Sequence, residues 1–278
     1  MDAVRDRYPE HFRRLGPQRL PMIAVATAML VLLLYGMEVL GFFDGKLLSG
    51  MGRLAEIAGL MLPPDPGSWA HARAYGMALI ETVAIALLGT LSAAILALPL
   101  GLLAARNVTA QRIVRFLARR SLDTIRSVDI LIWALIWINV VGLGPFAGAL
   151  AIMTSDIGSF GKLFSEAIEA ADRKPVEGIA STGGGHFMGI RFGILPEVFP
   201  VLVSQVLYYF ESNTRSATII GIVGAGGIGL HLAEAIRTLE LQQTSFIILM
   251  ILVTVAAIDL VSSQLRFAMI GRRGGVSA

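Results

Sequence analysis

"VEGIASTGGGHFMGIRFGILPEVFP", residues 176–200, stands between two long apolar runs and is full of glycine and polar side chains. Its local signals read in order. Pro175 suits the first turn of a helix, where a missing N–H costs nothing, and Glu177 complements the positive end of the helix dipole. Val176, Ile179 and Ala180 fall at i, i+3 and i+4, one apolar face. Gly183 and Gly184 supply a left-handed stop. The spacing predicts a helix of about two turns within residues 173–185, too short to be stable alone. It must dock on something. A second amphipathic piece, Phe187, Ile190 and Ile194, runs into Leu195-Pro196, and Pro196 opens the next apolar segment.

The rest of the chain explains why so polar a piece is conspicuous. The 278 residues are 55% hydrophobic and 15% charged, with a mean hydropathy of +0.71. A soluble domain carries about 25% charged residues. The missing charges leave runs long enough to cross a hydrocarbon core of about 30 Å, so the chain reads as an all-α polytopic membrane protein. Cysteine is absent, which excludes disulfides and thiolate chemistry. The four histidines (His11, His71, His186, His231) share no metal-ligand spacing.

The basic balance reports topology and not a nucleic-acid partner. Of 23 Lys and Arg, five lie in residues 1–20, six in 106–126, four in 162–191 and three in 266–273. Clusters flanking apolar spans mark cytoplasmic loops. The first run, about 21–43, is too long for the apolar region of a signal peptide. It reads as a retained span, followed by an external segment containing "LPPDPGSW" and a second span at about 77–104. The Arg-rich loop 106–126 and the polar stretch 162–191 both belong inside, so an even number of crossings separates them. Two short spans are therefore expected, about 127–142 and 145–162, broken at "GLGP". The same parity applies to 197–210, 217–230 and 246–265: one of the three does not cross. The candidate is "ATIIGIVGAGGIGL", because irregular backbone at membrane depth survives only when protein or a water-filled cavity covers it. Six transmembrane helices result, with both termini cytoplasmic. The expected organisation is 1–75 for the amino terminus, first span and external segment, 76–265 for the core, and 266–278 for a cytoplasmic tail.

Gly224-Ala-Gly226-Gly227-Ile-Gly229 matches G-x-G-x-x-G after a strand-like "TIIGIV". The acidic residue expected about 20 positions on is missing, and no βαβ alternation surrounds it. These glycines are expected to permit close packing or a hinge in a gate. No P-loop is present, so no nucleotide motor, catalytic group or cofactor site is expected in this chain. Ionisable residues within spans are functional candidates. Arg215, beside Asn213 near the outer end of the fifth span, either meets an anion or pairs with Glu211 one turn earlier. Glu81 is expected to snorkel outward. Asp129 and Asp156 either pair with Arg126 or Lys162, or line a pathway. Trp133 and Trp137 read as packing or interfacial anchors.

Residues 176–196 resemble the coupling motif of ATP-binding-cassette importer permeases, E-A-A, three residues, G, nine residues, I-x-L-P. Glu177, Gly183, Leu195 and Pro196 keep its spacing, while Gly178 and Ile179 replace the two alanines and Gly193 stands where Ile is usual. "ESNTRSATIIGIVGAGGIG", with Glu211, Asn213, Arg215 and Gly224–Gly229, resembles the phosphonate-type permeases in particular. The resemblance covers about residues 76–265. It implies a type I importer fold with a cytoplasmic coupling helix, in which Val176, Glu177, Gly178, Ile179, Gly183, Leu195 and Pro196 meet the ATPase. Gate or pathway candidates are Asn213, Arg215, Gly224, Gly226, Gly227 and Gly229. The implied function is import of phosphonate, phosphite or phosphate across the inner membrane. The implied partners are a second copy, ATPase subunits, an external solute-binding protein and membrane lipid. A stand-alone secondary transporter of a small anion is the alternative, although no convincing internal repeat with paired broken helices is present.

Overall fold

The computed structural model describes residues 20–42 and 45–270. The expected basic amino end, together with Arg272 and Arg273, lies outside them. Among the described residues every regular element is helical. The chain divides into two units, Met1–Leu60 and Met61–Ala278. The first holds α1 (Leu20–Val39), a continuously apolar helix, and α2 (Lys46–Leu60).

The second unit begins its helices with α3 (Trp69–Ala104), whose 36 residues extend about 54 Å at about 1.5 Å per residue. Ser68 Oγ caps it by accepting the His71 N–H at 3.1 Å. Then come α4 (Arg112–Arg126), α5 (Ile130–Val141), α6 (Pro145–Ala170), α7 (Lys174–Ser181) and the single turn α8 (His186–Met188). A π-helical turn, Gly189–Ile194, leads into α9 (Leu195–Ile222), followed by α10 (Ile228–Arg237) and α11 (Leu241–Ile270). The wider π turn sits where Pro196 removes an N–H and its ring pushes away the carbonyl four residues earlier.

Between lipid-facing helices there is no hydrophobic drive, so small residues that let backbones approach must supply the packing. α3 buries Ala78, Ala86, Gly89, Ala93, Ala97, Gly101 and Ala104 along one side. A Cβ at Gly89 would come within 2.7 Å of Ile152 Cβ, and one at Gly101 within 2.9 Å of Phe164 Cβ. Contacts rising together in number, Gly89 to Ile152 and Gly101 to Phe164, mean that α3 and α6 run parallel. α9 runs against both. Asn213 bonds Asp156, and a Cβ at Gly148, near the start of α6, would meet the Ala225 carbonyl just past the end of α9 at 2.6 Å. α11 starts beside the start of α3, where Tyr75 bonds Gln243, and ends beside the middle of α9, where Arg266 meets Glu211.

Parallel α3 and α6 require the chain between them to cross back. The return is α4 with α5, a pair bent by 87°. The structure therefore corrects two expectations. The Arg-rich segment 106–126 is not merely a loop, because α4 packs Leu122 into the notch left by Gly158 and Gly161. The segment 127–142 contributes only the 12-residue α5, about 18 Å, which lies at 87° to α4. Among the described residues four helices are long and apolar enough to cross a membrane, five if the bent pair is one span. α6 has the length, 26 residues, but carries Asp156 and Lys162. Counting it brings the number to six.

The last third differs in detail too. Segments 197–210 and 217–222 are one uninterrupted helix, α9, so Glu211, Asn213 and Arg215 are mid-helix and not at the outer end of a span. Within 217–230 the non-helical residues are Val223–Gly227. The supposed strand "TIIGIV" is mostly the end of α9, and the glycine pattern joins two helices.

Candidate functional site: the coupling segment and the polar core

α7 is built from its ends inward. Asp172 Oδ1 accepts the Lys174 N–H at 3.1 Å, and the Glu177 N–H reaches the Arg173 carbonyl at 2.9 Å. At the other end Gly183 has φ +85°. The N–H of Gly183 bonds the Ala180 carbonyl and that of Gly184 the Ile179 carbonyl, both at 3.0 Å. This pair of bonds satisfies carbonyls the helix would otherwise orphan.

Val176 and Ile179 are half-buried, while Glu177 and Gly178 are exposed. Val176 sits against two glycines: a Cβ at Gly189 would lie 3.2 Å from it and one at Gly193 3.0 Å. The two ends of the motif are thereby in contact, and the unusual Gly193 has a physical reason, since it leaves room for the valine. Further ties hold the segment to the bundle. Glu197 accepts the Asp172 N–H at 2.9 Å, and His186 Nε2 lies 2.9 Å from the Val108 carbonyl oxygen. A cleft of about 250 Å³ beside α7 is lined by Asn107, Asp172, Val176, Glu177 and Ile194. Leu195 is half-buried and Pro196 exposed at the start of α9. Gly193→Leu overpacks this contact, and misfit of this kind costs about 1–3 kcal/mol. Thermal unfolding of the purified chain should show a lowered midpoint, with Val176→Ala on the same chain restoring part of it.

The pathway candidates lie along and beyond α9. Asn213, 4% exposed, donates to Thr90 Oγ1 at 2.8 Å and to Asp156 Oδ2 at 2.5 Å. It joins α3, α6 and α9. Asp156 thus takes neither expected partner: Lys162 turns to Asp123 at 3.5 Å, and Asp129 instead caps α5, accepting the Leu131 N–H at 2.8 Å. Trp137 packs in the core and donates to Thr154 at 3.0 Å. Arg215 pairs with Glu211 at 3.1 Å.

Gly224, Gly226 and Gly227 all have positive φ and are wedged between helices. A Cβ at Gly226 would come 2.8 Å from the Pro145 nitrogen, and one at Gly229 2.0 Å from the Thr218 carbonyl. The amides at the start of α10, which have no partner within the helix, find side-chain acceptors on α3. Glu81 Oε1 accepts the Gly227 N–H at 3.0 Å and Thr82 Oγ1 that of Ile228 at 2.8 Å. Glu81 therefore turns inward and does not snorkel. Sequence reasoning missed Thr82, Thr90 and Arg266. The first two signal themselves only as hydroxyls inside an apolar run, and Arg266 resembled a charge set by topology.

Residues 97–272 match the family described as binding-protein-dependent transport system inner membrane component. The chain belongs to that family. This inner membrane component is similar to the putative phosphite transport system permease protein HtxC of Stutzerimonas stutzeri, 37% identical over 88% of this chain and 86% of the relative. It is 36% identical to the phosphite transport system permease protein PtxC of the same organism, over 81% and 82%. The phosphate-import permease protein PhnE of Mycolicibacterium smegmatis is 35% identical over 81% of this chain and 42% of its own. Among solved structures, an inward-facing form of the MetNI methionine ABC transporter superposes with a TM-score of 0.64 at 18% identity, covering 73% of this chain and 99% of that one. The last likeness concerns the fold. The inner membrane component is a multi-pass permease, and its helices are those of an importer of this kind.

Proposed function

We propose that this chain is the permease of an ATP-driven importer of phosphorus oxyanions, phosphite, phosphonate or phosphate. The observation that carries the reading is similarity to two phosphite permeases along more than four-fifths of the chain. In this reading two copies form the pathway in the lipid bilayer, and an external binding protein delivers the anion. The α7 end of the bundle faces the cytoplasm, as do both termini. The ATPase subunit is a separate chain that receives α7 in a cleft, meeting Glu177 and Gly178 on its outer face. A helix anchored through Val176 and Ile179, with its opposite side free, suits that task. Val176, Ile179, Gly183, Leu195 and Pro196 keep the helix in register with α9, so movement of α7 is passed to the long span.

Uptake of phosphite by the assembled importer in proteoliposomes tests it. Glu177→Arg and Gly183→Val, each inserted in the membrane to the wild-type level, should lose at least tenfold in ATP-driven uptake. Wild-type coupled uptake by both variants would remove α7 from the mechanism.

A further inference from the structure

α9 places a carboxylate halfway along its length, and two arginines from different helices share it. Glu211, its side chain 12% exposed, meets Arg215 Nη1 at 3.1 Å through Oε1 and Arg266 Nη2 at 3.7 Å through Oε2. Arg266 also lies 3.8 Å from Asp259 Oδ1, whose side chain is 55% exposed. Both contacts of Arg266 exceed hydrogen-bond length, and its Nη1 is buried without a hydrogen-bond partner among the described residues. A guanidinium with its donors so little used has capacity for an acceptor.

Position adds a second argument. Arg215 is half-exposed, and Tyr208 and Ile219 are exposed nearby on the same helix. An arginine in a membrane span that faced lipid would be costly, so such residues face water or protein. For an anion, an unscreened Glu211 on the route would be a barrier. Arg215 and Arg266 offset the charge of Glu211 and of Asp259, so the barrier of a lone carboxylate is removed. Guanidinium pairs bind oxyanions through parallel N–H···O bonds, and a tetrahedral oxyanion presents enough oxygens to take both.

We infer that Arg215 and Arg266 form a two-armed transit site for the oxyanion, with Glu211 as the internal counter-ion that holds both arms until the cargo displaces it. This inference rests on the proposed function and names the residues that take its substrate. The site binds weakly by design, because the cargo must compete with Glu211 to enter and Glu211 competes with the cargo as it leaves. Arg266, on the last helix, is then a pathway residue and not only a marker of topology.

The test uses the complete importer in proteoliposomes with radiolabelled phosphite, and thermal midpoint and ATPase association as controls of folding and assembly. Arg266→Gln should lower uptake at least tenfold. A purely structural ion pair predicts that removing the stranded carboxylate as well restores function. The double variant Glu211→Gln with Arg266→Gln should instead assemble and stay at least tenfold down. Arg266→Lys, which keeps charge but not the fork, should fall between threefold and tenfold and serves if the glutamine variant does not assemble. Uptake within twofold of wild type in the double variant, or in Arg266→Lys where the glutamine variant is lost, overturns the transit site while leaving the importer standing. Failure of the wild-type complex to take up phosphite, methylphosphonate or phosphate overturns both.

Discussion

Valine at Gly229 will prevent the permease from reaching its folded state. A Cβ there would sit 2.0 Å from the Thr218 carbonyl oxygen and 2.9 Å from Gly221 Cα. Both obstacles are backbone, so no side chain can swing away. Relief would require α10 to leave α9, and with it the bonds from Glu81 and Thr82 that satisfy Gly227 and Ile228. Loss of a close helix contact together with two partly buried N–H partners belongs to the severe class, more than about 4 kcal/mol. Membrane yield and the thermal midpoint after detergent extraction would both collapse. The contrasting change is Gly178→Ala, where nothing lies within 4 Å of the new methyl group and the helix gains about 1 kcal/mol of propensity. A Gly229→Val chain that melts with the wild type would show that the glycine turn is looser than its geometry indicates.

Asn213→Leu is expected to be the next most damaging change, through a lost buried hydrogen bond. Asp156 is 5% exposed, and Asn213 Nδ2 donates to its Oδ2 at 2.5 Å. Leucine removes that donor and leaves a buried carboxyl group without it, which costs about 1.5–3 kcal/mol, the range for a hydrogen bond to such a group. It also takes the Asn213 hydrogen bond from Thr90, although Thr90 keeps its own bond to the Ala86 carbonyl at 2.6 Å. Asp156→Asn should be mild, about 1 kcal/mol, because an amide oxygen still accepts from Asn213. The double change Asn213→Leu with Asp156→Leu should recover much of the loss, since an apolar pair has nothing left unsatisfied. Thermal unfolding of the four chains decides it. Equal midpoints for Asn213→Leu and wild type would mean that the Thr90–Asn213–Asp156 link carries no weight.

The amino-acid sequence determined the features governed by neighbours along the chain. Pro175, Glu177 and the pair Gly183-Gly184 mark where α7 starts and stops, because helix caps depend on residues within one turn. So short a helix is held, however, by docking Val176 on Gly189 and Gly193. Runs of apolar residues announce membrane helices since lipid acts on each segment separately. The resemblance of residues 176–196 to the coupling motif of importer permeases is what pointed to the family. Tertiary structure alone decided what depends on a partner distant in number. Glu81 and Asp156 are acidic residues in spans, and nothing local distinguishes a snorkelling carboxylate from one that accepts a bond from Gly227 or Asn213. The long α9 hid behind the polar "ESNTRS", since its hydrogen bonds and burial against α3 and α6 offset a composition that looks like a loop. That the chain turns back between parallel α3 and α6, at the 87° bend joining α4 to α5, was likewise visible only in the tertiary structure. A single helix carries no record of the direction its neighbours take.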